Sequence, residues 1–154
     1  MTTEAVEEKN VVTNRRARHE YFILESYEAG LALKGTEVKS LRARSANLQD
    51  GYVMVRRGEF WLVGMHVNPF EKGNINNHDP LRDRKLLLHR KEIRKLTASL
   101  QEKGLALIPL RVYFKKNVAK VEIGLCRGKK FFDKRETIKK REVERQIRRD
   151  FARS

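Results

Sequence analysis

The amino-acid sequence predicts a mainly β protein: a small closed antiparallel barrel with short flanking helices and a basic C-terminal tail. Half a dozen short segments rich in aromatic and β-branched residues recur at close spacing, and two segments with helical periodicity interrupt them. Many short strands favour closure, because a closed barrel leaves no strand edge unpaired. At 154 residues the chain is long enough for one domain with a modest core and too short for two ordinary domains.

The predicted strands carry aromatic or β-branched side chains, and the last two alternate apolar and polar residues. In chain order they are residues 21–24, 31–33, 52–55, 60–63, 111–115 and 118–125. Turn residues fill three of the connections, at 28–30, 56–59 and 116–117. The second and third of these connections predict tight hairpins between consecutive strands.

Two segments are predicted to be helices. The first covers residues 37–44 and places Val38 and Leu41 on one face. The second covers about residues 89–103, with Gly104 as the C′ residue that ends it. Its apolar face consists of Ile93, Leu96 and Leu100, and its opposite face is basic, with Arg90, Lys91, Arg94 and Lys95.

The charge of the chain indicates a polyanionic partner. The formal net charge is +15, distributed as −2 over residues 1–13, +11 over 14–127 and +6 over 128–154. Such a charge destabilises the folded state by self-repulsion, and it usually persists because a polyanion neutralises it. Nucleic acid is therefore the leading partner. An anionic membrane surface is the alternative. We expect no membrane partner, because no apolar run approaches the ~20 residues of a spanning helix.

The same distribution predicts three parts: a disordered N-terminal lead-in (1–13), a β-barrel domain (14–132) and a basic tail (133–154). The lead-in has too little apolar content to pack and lacks the apolar region of a secretory signal, which favours a cytoplasmic location. In the tail, Val143, Ile147 and Phe151 form one narrow apolar stripe. We therefore expect the tail to be disordered when free and helical when docked.

The sequence contains no catalytic pattern, and we expect neither enzymatic activity nor a metal or cofactor. The four histidines are scattered without metal-ligand spacing. A glycine-rich phosphate loop and a nucleophile elbow are both missing. The single cysteine, Cys126, ends an alternating run and is expected to close a strand, so no intrachain disulfide can form.

Four blocks follow one another in a characteristic order. The first block is the stretch 14–41, which ends in the segment Gly35-Thr36-Glu37-Val38-Lys39-Ser40-Leu41-Arg42. The second block is Asp79-Pro80 with Arg84-Lys85-Leu86-Leu87-Leu88. Residues 124–130 and Asp133-Lys134-Arg135 complete the order. The chain thus resembles the small protein B family, the bacterial partners of transfer-messenger RNA in ribosome rescue. The resemblance implies an oligonucleotide-binding-type barrel and an RNA-binding adaptor rather than an enzyme.

By this resemblance the barrel binds the transfer-RNA-like part of transfer-messenger RNA, one copy of the protein per RNA, and replaces its missing anticodon arm. Arginines suit phosphates, while Asn, His and Glu suit base edges and 2′-hydroxyls. The alternative for the N-terminal cluster is a solvated charged start of a strand. We expect Leu86 and Leu88 to pack, whereas Leu87 either packs or contacts RNA. The candidate contacts are Asn14, Arg15, Arg16, Arg18, His19, Glu28, Arg82, Arg84, Lys85, Leu87 and Lys120.

The resemblance also implies that the tail enters the decoding site and the empty messenger channel of the ribosome, where it meets ribosomal RNA. Phe132 would stack on a ribosomal base, and Val143 stands where a family member can have Trp. The tail candidates are Lys129, Lys130, Phe132, Asp133, Lys134, Arg135, Lys139, Lys140, Arg141, Ile147 and Phe151.

A general single-strand RNA-binding barrel or a ribosomal protein is the alternative function. Such a protein would expose aromatic side chains for base stacking. Here we expect most aromatics to lie in the core, namely Phe22, Phe60, Trp61 and Phe114.

Overall fold

The computed structural model describes residues 7–70 and 77–129. Nine strands and three short helices make up this part, so the prediction of a mainly β protein with few helices is confirmed. The strands are β1 (Glu8–Thr13), β2 (Tyr21–Leu31), β3 (Ala46–Asn47), β4 (Tyr52–Arg56), β5 (Glu59–Val63), β6 (His66–Val67), β7 (Arg84–Leu87), β8 (Leu105–Lys115) and β9 (Val118–Gly128). The helices are α1 (Arg15–Glu20), α2 (Gly35–Arg42) and α3 (Arg90–Ser99). No described helix is long and apolar enough to cross a membrane.

Seven strands form one antiparallel sheet in the order β1-β8-β9-β2-β7-β5-β4, and β3 pairs with β6 in a separate ladder. Within the described residues the hydrogen-bonded order ends at β1 on one side and at β4 on the other. The predicted closure into a barrel is therefore not established by strand pairing. The two ends do curve towards each other, since β4 packs against β8.

Both predicted hairpins are present. Arg57 and Gly58 connect β4 to β5 with φ angles of 51° and 75°, and Lys116 and Asn117 connect β8 to β9 with 51° and 62°. Two consecutive residues with positive φ are typical of the two-residue turn whose twist matches that of the flanking strands.

Two predictions about the chain's course are wrong. Residues 8–13 are not disordered: they form β1, which pairs along β8, while residues 1–6 lie outside the described part. The pairing supplies backbone hydrogen bonds, which compensate for the low apolar content of the segment. Residues 28–30 do not turn the chain but continue β2 as far as Leu31, so the predicted strands 21–24 and 31–33 are not separated there. Strand β7 was not predicted. Helix α1 was not predicted at all.

The two predicted helices exist with shifted ends. Leu41 of α2 and Leu96 of α3 are fully buried, while Ile93 and Leu100 pack against the core as predicted. Gly104, with φ of 85°, lies in the turn that leads into β8 and not at the C′ position, because α3 ends earlier, at Ser99, with Leu100 as its C-cap residue.

The core lies on the inner face of the sheet and excludes one residue that we expected there. Phe60 and Phe114 are buried and Trp61 is half-buried, but Phe22 is 43% exposed. Phe22 lies opposite Arg127, near the end of the β2–β9 ladder, where part of its ring is open to solvent. Cys126 is buried inside β9 rather than at its end, and burial raises the pKa of its thiol to about 11.

Candidate nucleic-acid interface

A row of residues crosses four neighbouring strands on the outer face of the sheet. Leu87 on β7 pairs with Gly30 on β2, Gly30 pairs with Lys120 on β9, and Lys120 pairs with Tyr113 on β8. Leu87 is 54% exposed, while its neighbours Leu86 and Leu88 pack against the core as predicted. The sheet thus presents an apolar side chain to solvent beside a lysine.

Gly30 leaves room for Leu87. A Cβ atom at Gly30 would lie 3.3 Å from the Cβ of Leu87, closer than most such contacts in proteins. The absence of a side chain at this position therefore allows Leu87 to lie across β2 and to expose its end.

Glu28 lies two residues before Gly30, on the same face of β2. Its Oε2 atom accepts hydrogen bonds from the Tyr113 hydroxyl at 2.5 Å and from Lys115 Nζ at 3.4 Å. The hydrogen bond from Tyr113 lowers the pKa of Glu28 most strongly, and Lys115 and Lys120 add to the effect against the opposing influence of burial. Glu28 is therefore an ionised carboxylate at neutral pH, which can only accept hydrogen bonds.

A network of ion pairs surrounds Tyr113 on this face. The Arg111 guanidinium lies 4.0 Å from the centre of the Tyr113 ring, and Arg111 pairs with Glu8 and Glu122 at 2.8 Å each. Tyr113 is only 2% exposed although it lies on the outer side of the sheet. One sequence feature indicates that Tyr113 lies on the outer face: it alternates with apolar residues and shares the polar side of its strand with Arg111 and Lys115.

Helix α1 carries the predicted N-terminal basic residues. Ala17 is buried and anchors the helix, while Arg15, Arg16, Arg18 and His19 are exposed. Arg16 pairs with Glu20 at 3.1 Å and with Asp50 at 3.8 Å. Four exposed basic or titratable side chains on one short helix form a surface suited to phosphates.

Asn14 fixes the start of this helix to the sheet. Its backbone N–H donates to the Leu110 carbonyl at 2.7 Å, and its side-chain Nδ2 donates to the Pro109 carbonyl at 2.9 Å. Asn14 is 5% exposed, so its amide serves the fold more than the surface. Asn14 also lies where two shallow grooves meet. Asn47 and Gln49 line one of these grooves, and no sequence motif indicated that these two residues belong to a site.

The prediction that Arg84 contacts RNA is wrong. Arg84 is fully buried, and its guanidinium donates to the Glu37 carboxylate, to the Met65 carbonyl at 2.8 Å and to the Pro80 carbonyl at 3.2 Å. Its charge is neutralised inside the protein and is not available to a phosphate.

Arg82 is tied to the same carboxylate. Its guanidinium donates to Glu37 at 2.5 Å and to the Ala32 carbonyl at 3.2 Å, and its side chain is 27% exposed. Lys85, by contrast, extends to the surface, where it pairs with Glu59 at 3.2 Å. Glu37 and the two arginines therefore hold β7 in place, and Lys85 and Leu87 face outward from it.

The described part ends at the base of the predicted tail. Lys129 Nζ donates to the Arg18 carbonyl at 3.0 Å and lies 5.1 Å from the centre of the Phe22 ring. The remaining predicted tail residues lie outside the described residues: Lys130, Phe132, Asp133, Lys134, Arg135, Lys139, Lys140, Arg141, Ile147 and Phe151.

Comparison with known proteins identifies the family. The profile of the family described as SmpB protein matches residues 11–153. The chain belongs to the SmpB protein family. Among the described residues, no group of three or more His, Cys, Asp or Glu side chains could hold a metal ion.

Close relatives agree with this assignment. The SsrA-binding protein of Desulforudis audaxviator (strain MP104C) is 63% identical over 142 residues, which are 92% of this chain and 93% of the relative. The SsrA-binding protein of Ligilactobacillus salivarius (strain UCC118) is 58% identical over 136 residues, 88% of each chain. A solved structure described as "tmRNA-SmpB: a journey to the center of the bacterial ribosome" is 52% identical with a TM-score of 0.65, covering 77% of this chain and 83% of that chain.

Proposed function

We propose that this protein is an RNA-binding adaptor that rescues stalled ribosomes by trans-translation. Its relatives are SsrA-binding proteins, and a structural neighbour is part of a transfer-messenger RNA–SmpB assembly on the bacterial ribosome. The protein binds the transfer-RNA-like domain of transfer-messenger RNA, one copy per RNA, and takes the place of the missing anticodon arm. Family membership is the observation that carries this conclusion. A protein that acts on ribosomes works in the cytoplasm.

The outer row of the sheet supplies the chemistry of the RNA contact. The exposed end of Leu87 offers an apolar surface to a sugar or an unstacked base, and Lys85 and Lys120 offer charge to phosphates. Glu28 accepts hydrogen bonds from base edges or 2′-hydroxyls. The basic residues of α1 grip the phosphate backbone: Arg15, Arg16, Arg18 and His19. Asn14 and Arg82 contribute indirectly, because their hydrogen bonds to the Pro109 and Ala32 carbonyls hold α1 and β7 in position.

The tail has a separate role on the ribosome. Residues 128–154 carry a net charge of +6, which suits a path along ribosomal RNA. In this proposal Asp133, Lys134 and Arg135 enter the decoding site and Phe132 stacks on a base. The rest of the tail becomes helical in the empty messenger channel, so that the stalled peptide is tagged and released.

The sheet itself is proposed to close into the oligonucleotide-binding-type barrel that the resemblance implies. The support is the packing of β4 against β8, which is the neighbour of the opposite end strand β1. Backbone amide exchange that is slow along both β1 and β4 would agree with closure, because exposed edge strands exchange quickly.

The RNA-binding role is tested with the isolated transfer-RNA-like domain in a gel-shift titration. Glu28→Arg should weaken binding although it adds positive charge, because it removes a directional acceptor. A surface that acts only through charge would bind more tightly at low salt. Glu102→Arg is the matched control: Glu102 is an exposed carboxylate paired with Arg127 at 3.0 Å, away from the outer row. Tighter binding by both variants would contradict the directional contact.

The division of labour between sheet and tail needs a second experiment. A chain that ends after Phe132 should bind the RNA domain within about tenfold of the full chain, or ~1.4 kcal/mol. Replacing Asp133, Lys134 and Arg135 with alanine should leave RNA binding intact and abolish tagging of stalled products in a reconstituted translation reaction. Normal tagging by this variant would refute the role proposed for the tail.

A general single-strand-binding protein is the second candidate, and two exposed aromatic side chains favour it. Phe22 is 43% and Tyr52 is 42% exposed, and bases stack on such rings without regard to sequence. Under that function an unstructured polyuridine would compete with the transfer-RNA-like domain at equal nucleotide concentration. We expect it to compete poorly, because the folded RNA is recognised by its shape.

A further inference from the structure

We propose that Tyr113 is a positioning residue for RNA recognition: its hydroxyl holds Oε2 of Glu28, so that Oε1 of the same carboxylate is presented to the RNA. The inference rests on the proposed function, in which Glu28 is a directional RNA contact. It assigns a role to a nearly buried side chain that does not itself need to touch the RNA.

The hydrogen bonds of Glu28 are unequally divided between its two oxygens. Tyr113 and Lys115 both donate to Oε2, at 2.5 Å and 3.4 Å. Among the described residues no donor reaches Oε1. The Glu28 side chain is 36% exposed, so the carboxylate is anchored through one oxygen and keeps the other available to a ligand.

Tyr113 is a rigid anchor. It reaches from β8 across β9 to β2, and it is only 2% exposed. Arg111 covers its ring at 4.0 Å and is itself fixed by Glu8 and Glu122. A glutamate on an open strand would have several side-chain rotamers to lose on binding, whereas this one is fixed before the RNA arrives.

The protonation states suit the same role. Burial raises the pKa of the Tyr113 hydroxyl far above its ordinary value, so the hydroxyl remains a donor at neutral pH. The hydrogen bond from Tyr113 lowers the pKa of Glu28, with smaller contributions from Lys115 on β8 and Lys120 on β9. Glu122, the ladder partner of Glu28, is the nearest like charge on β9, and it pairs with Arg111. Glu28 is therefore held as an acceptor to a lower pH than an isolated glutamate.

The test compares Tyr113→Phe, which removes only the hydroxyl, with Tyr27→Phe. Tyr27 is a matched control, because its hydroxyl also donates to a glutamate, Glu25, on the same strand but outside the outer row. Affinity for the transfer-RNA-like domain is measured for both variants, for Glu28→Gln and for the double variant Tyr113→Phe/Glu28→Gln. All chains are full length, and thermal unfolding monitors their folding.

We expect Glu28→Gln and Tyr113→Phe each to weaken binding by about tenfold, the effect of one lost hydrogen bond to a charged group. The double variant should bind about as weakly as Glu28→Gln alone, because both substitutions act on one contact. Tyr27→Phe should bind like the wild type. In Tyr113→Phe, the loss of binding on acidification should begin at higher pH, since the Glu28 carboxylate would have lost the contact that lowers its pKa.

The outcomes separate the two proposals. If Glu28→Gln binds normally, Glu28 is not an RNA contact, and that part of the proposed function fails together with the inference. If Glu28→Gln weakens binding but Tyr113→Phe does not, the positioning role alone is overturned. Equal losses for Tyr113→Phe and Tyr27→Phe would also overturn it.

A measurement on the wild type keeps the proposal testable if Tyr113→Phe does not fold. The Tyr113 hydroxyl proton, protected by burial, should give a slowly exchanging NMR signal that shifts when the RNA domain binds. The Tyr27 hydroxyl should show no such shift. An unchanged Tyr113 signal in the saturated complex would contradict the inference.

Discussion

Replacing Glu37 with alanine should destabilise this protein more than any surface ion-pair substitution. Glu37 is fully buried at the N-terminal turn of α2 and accepts hydrogen bonds from three donors: Arg82, Arg84 and the Lys34 backbone N–H. In Glu37→Ala the guanidinium of Arg84 stays buried with only two carbonyl partners, Met65 and Pro80. A buried cation would then lack its counter-charge.

The size of the effect follows from this geometry. Breaking a buried ion pair by removing one partner costs about 3–5 kcal/mol, because the other charge remains without compensation. Domains of this kind have a total stability of about 5–15 kcal/mol, so the loss is a large fraction of it. For a chain of this length we expect Tm to fall by about 6–20 °C.

Urea unfolding followed by circular dichroism at neutral pH measures the loss. The matched control is Glu59→Ala, which removes the carboxylate of an exposed pair with Lys85, 3.2 Å apart; such pairs contribute about 0–1 kcal/mol. A Glu37→Ala protein within about 1 kcal/mol of the wild type would refute the reasoning, because it would mean that Arg84 does not need its partner.

The pH dependence gives a second check on Glu37. Burial alone would raise its pKa, but the hydrogen bonds from Arg82 and Lys34 and the charge of Arg84 outweigh burial and lower it. The stabilisation is therefore complete above the ordinary glutamate pKa of about 4.3 and is lost as the pH falls through the lower folded-state value. The stability difference between wild type and Glu37→Ala should shrink in that acidic range and stay constant above it.

Two further substitutions and one reaction follow from the described part of the chain. Gly30→Ala should push Leu87 aside, since the new Cβ would lie 3.3 Å from the Leu87 Cβ. We expect weaker binding of the transfer-RNA-like domain. The free energy of unfolding should change by about 1 kcal/mol or less, which is a change in Tm of only a few degrees. Leu87→Ala should weaken the same binding without lowering Tm, because the side chain is 54% exposed; a large drop in Tm would assign Leu87 to the core instead. Cys126 should resist thiol reagents at neutral pH until the protein unfolds, because burial raises its pKa to about 11 and leaves almost no thiolate. Rapid labelling of the native protein would contradict this.

Local features of the fold could be predicted from the sequence, whereas long-range ones could not. The hairpins at Arg57-Gly58 and Lys116-Asn117 depend on turn residues and on the strands directly before and after them in the sequence. Strand β1 depends on β8, about a hundred residues further along, and its own residues are mostly polar. Strand β7 is short and is defined by its partners β2 and β5. No local pattern reports such partners.

The candidate site shows the same division. Leu87 is exposed between two packed leucines because side chains alternate along a strand, but strand β7 was not predicted. The possibility that Leu87 contacts RNA came from the family resemblance and not from a local pattern. Arg84 looked like an RNA contact because it stands in a basic run, but Glu37, 47 residues earlier, buries its charge. The anchoring of Glu28 by Tyr113 joins residues 85 positions apart, so neither residue alone indicates it.

The most direct test of the central claim is to identify the RNA that the protein binds in a bacterial cell. The tagged full-length protein is purified from cells and the bound RNA is sequenced, with Glu28→Arg and Glu102→Arg purified in parallel. We expect one dominant RNA, transfer-messenger RNA, with the wild type and with Glu102→Arg, and its loss with Glu28→Arg. A mixture of cellular RNAs without enrichment of transfer-messenger RNA, unchanged by Glu28→Arg, would contradict the account.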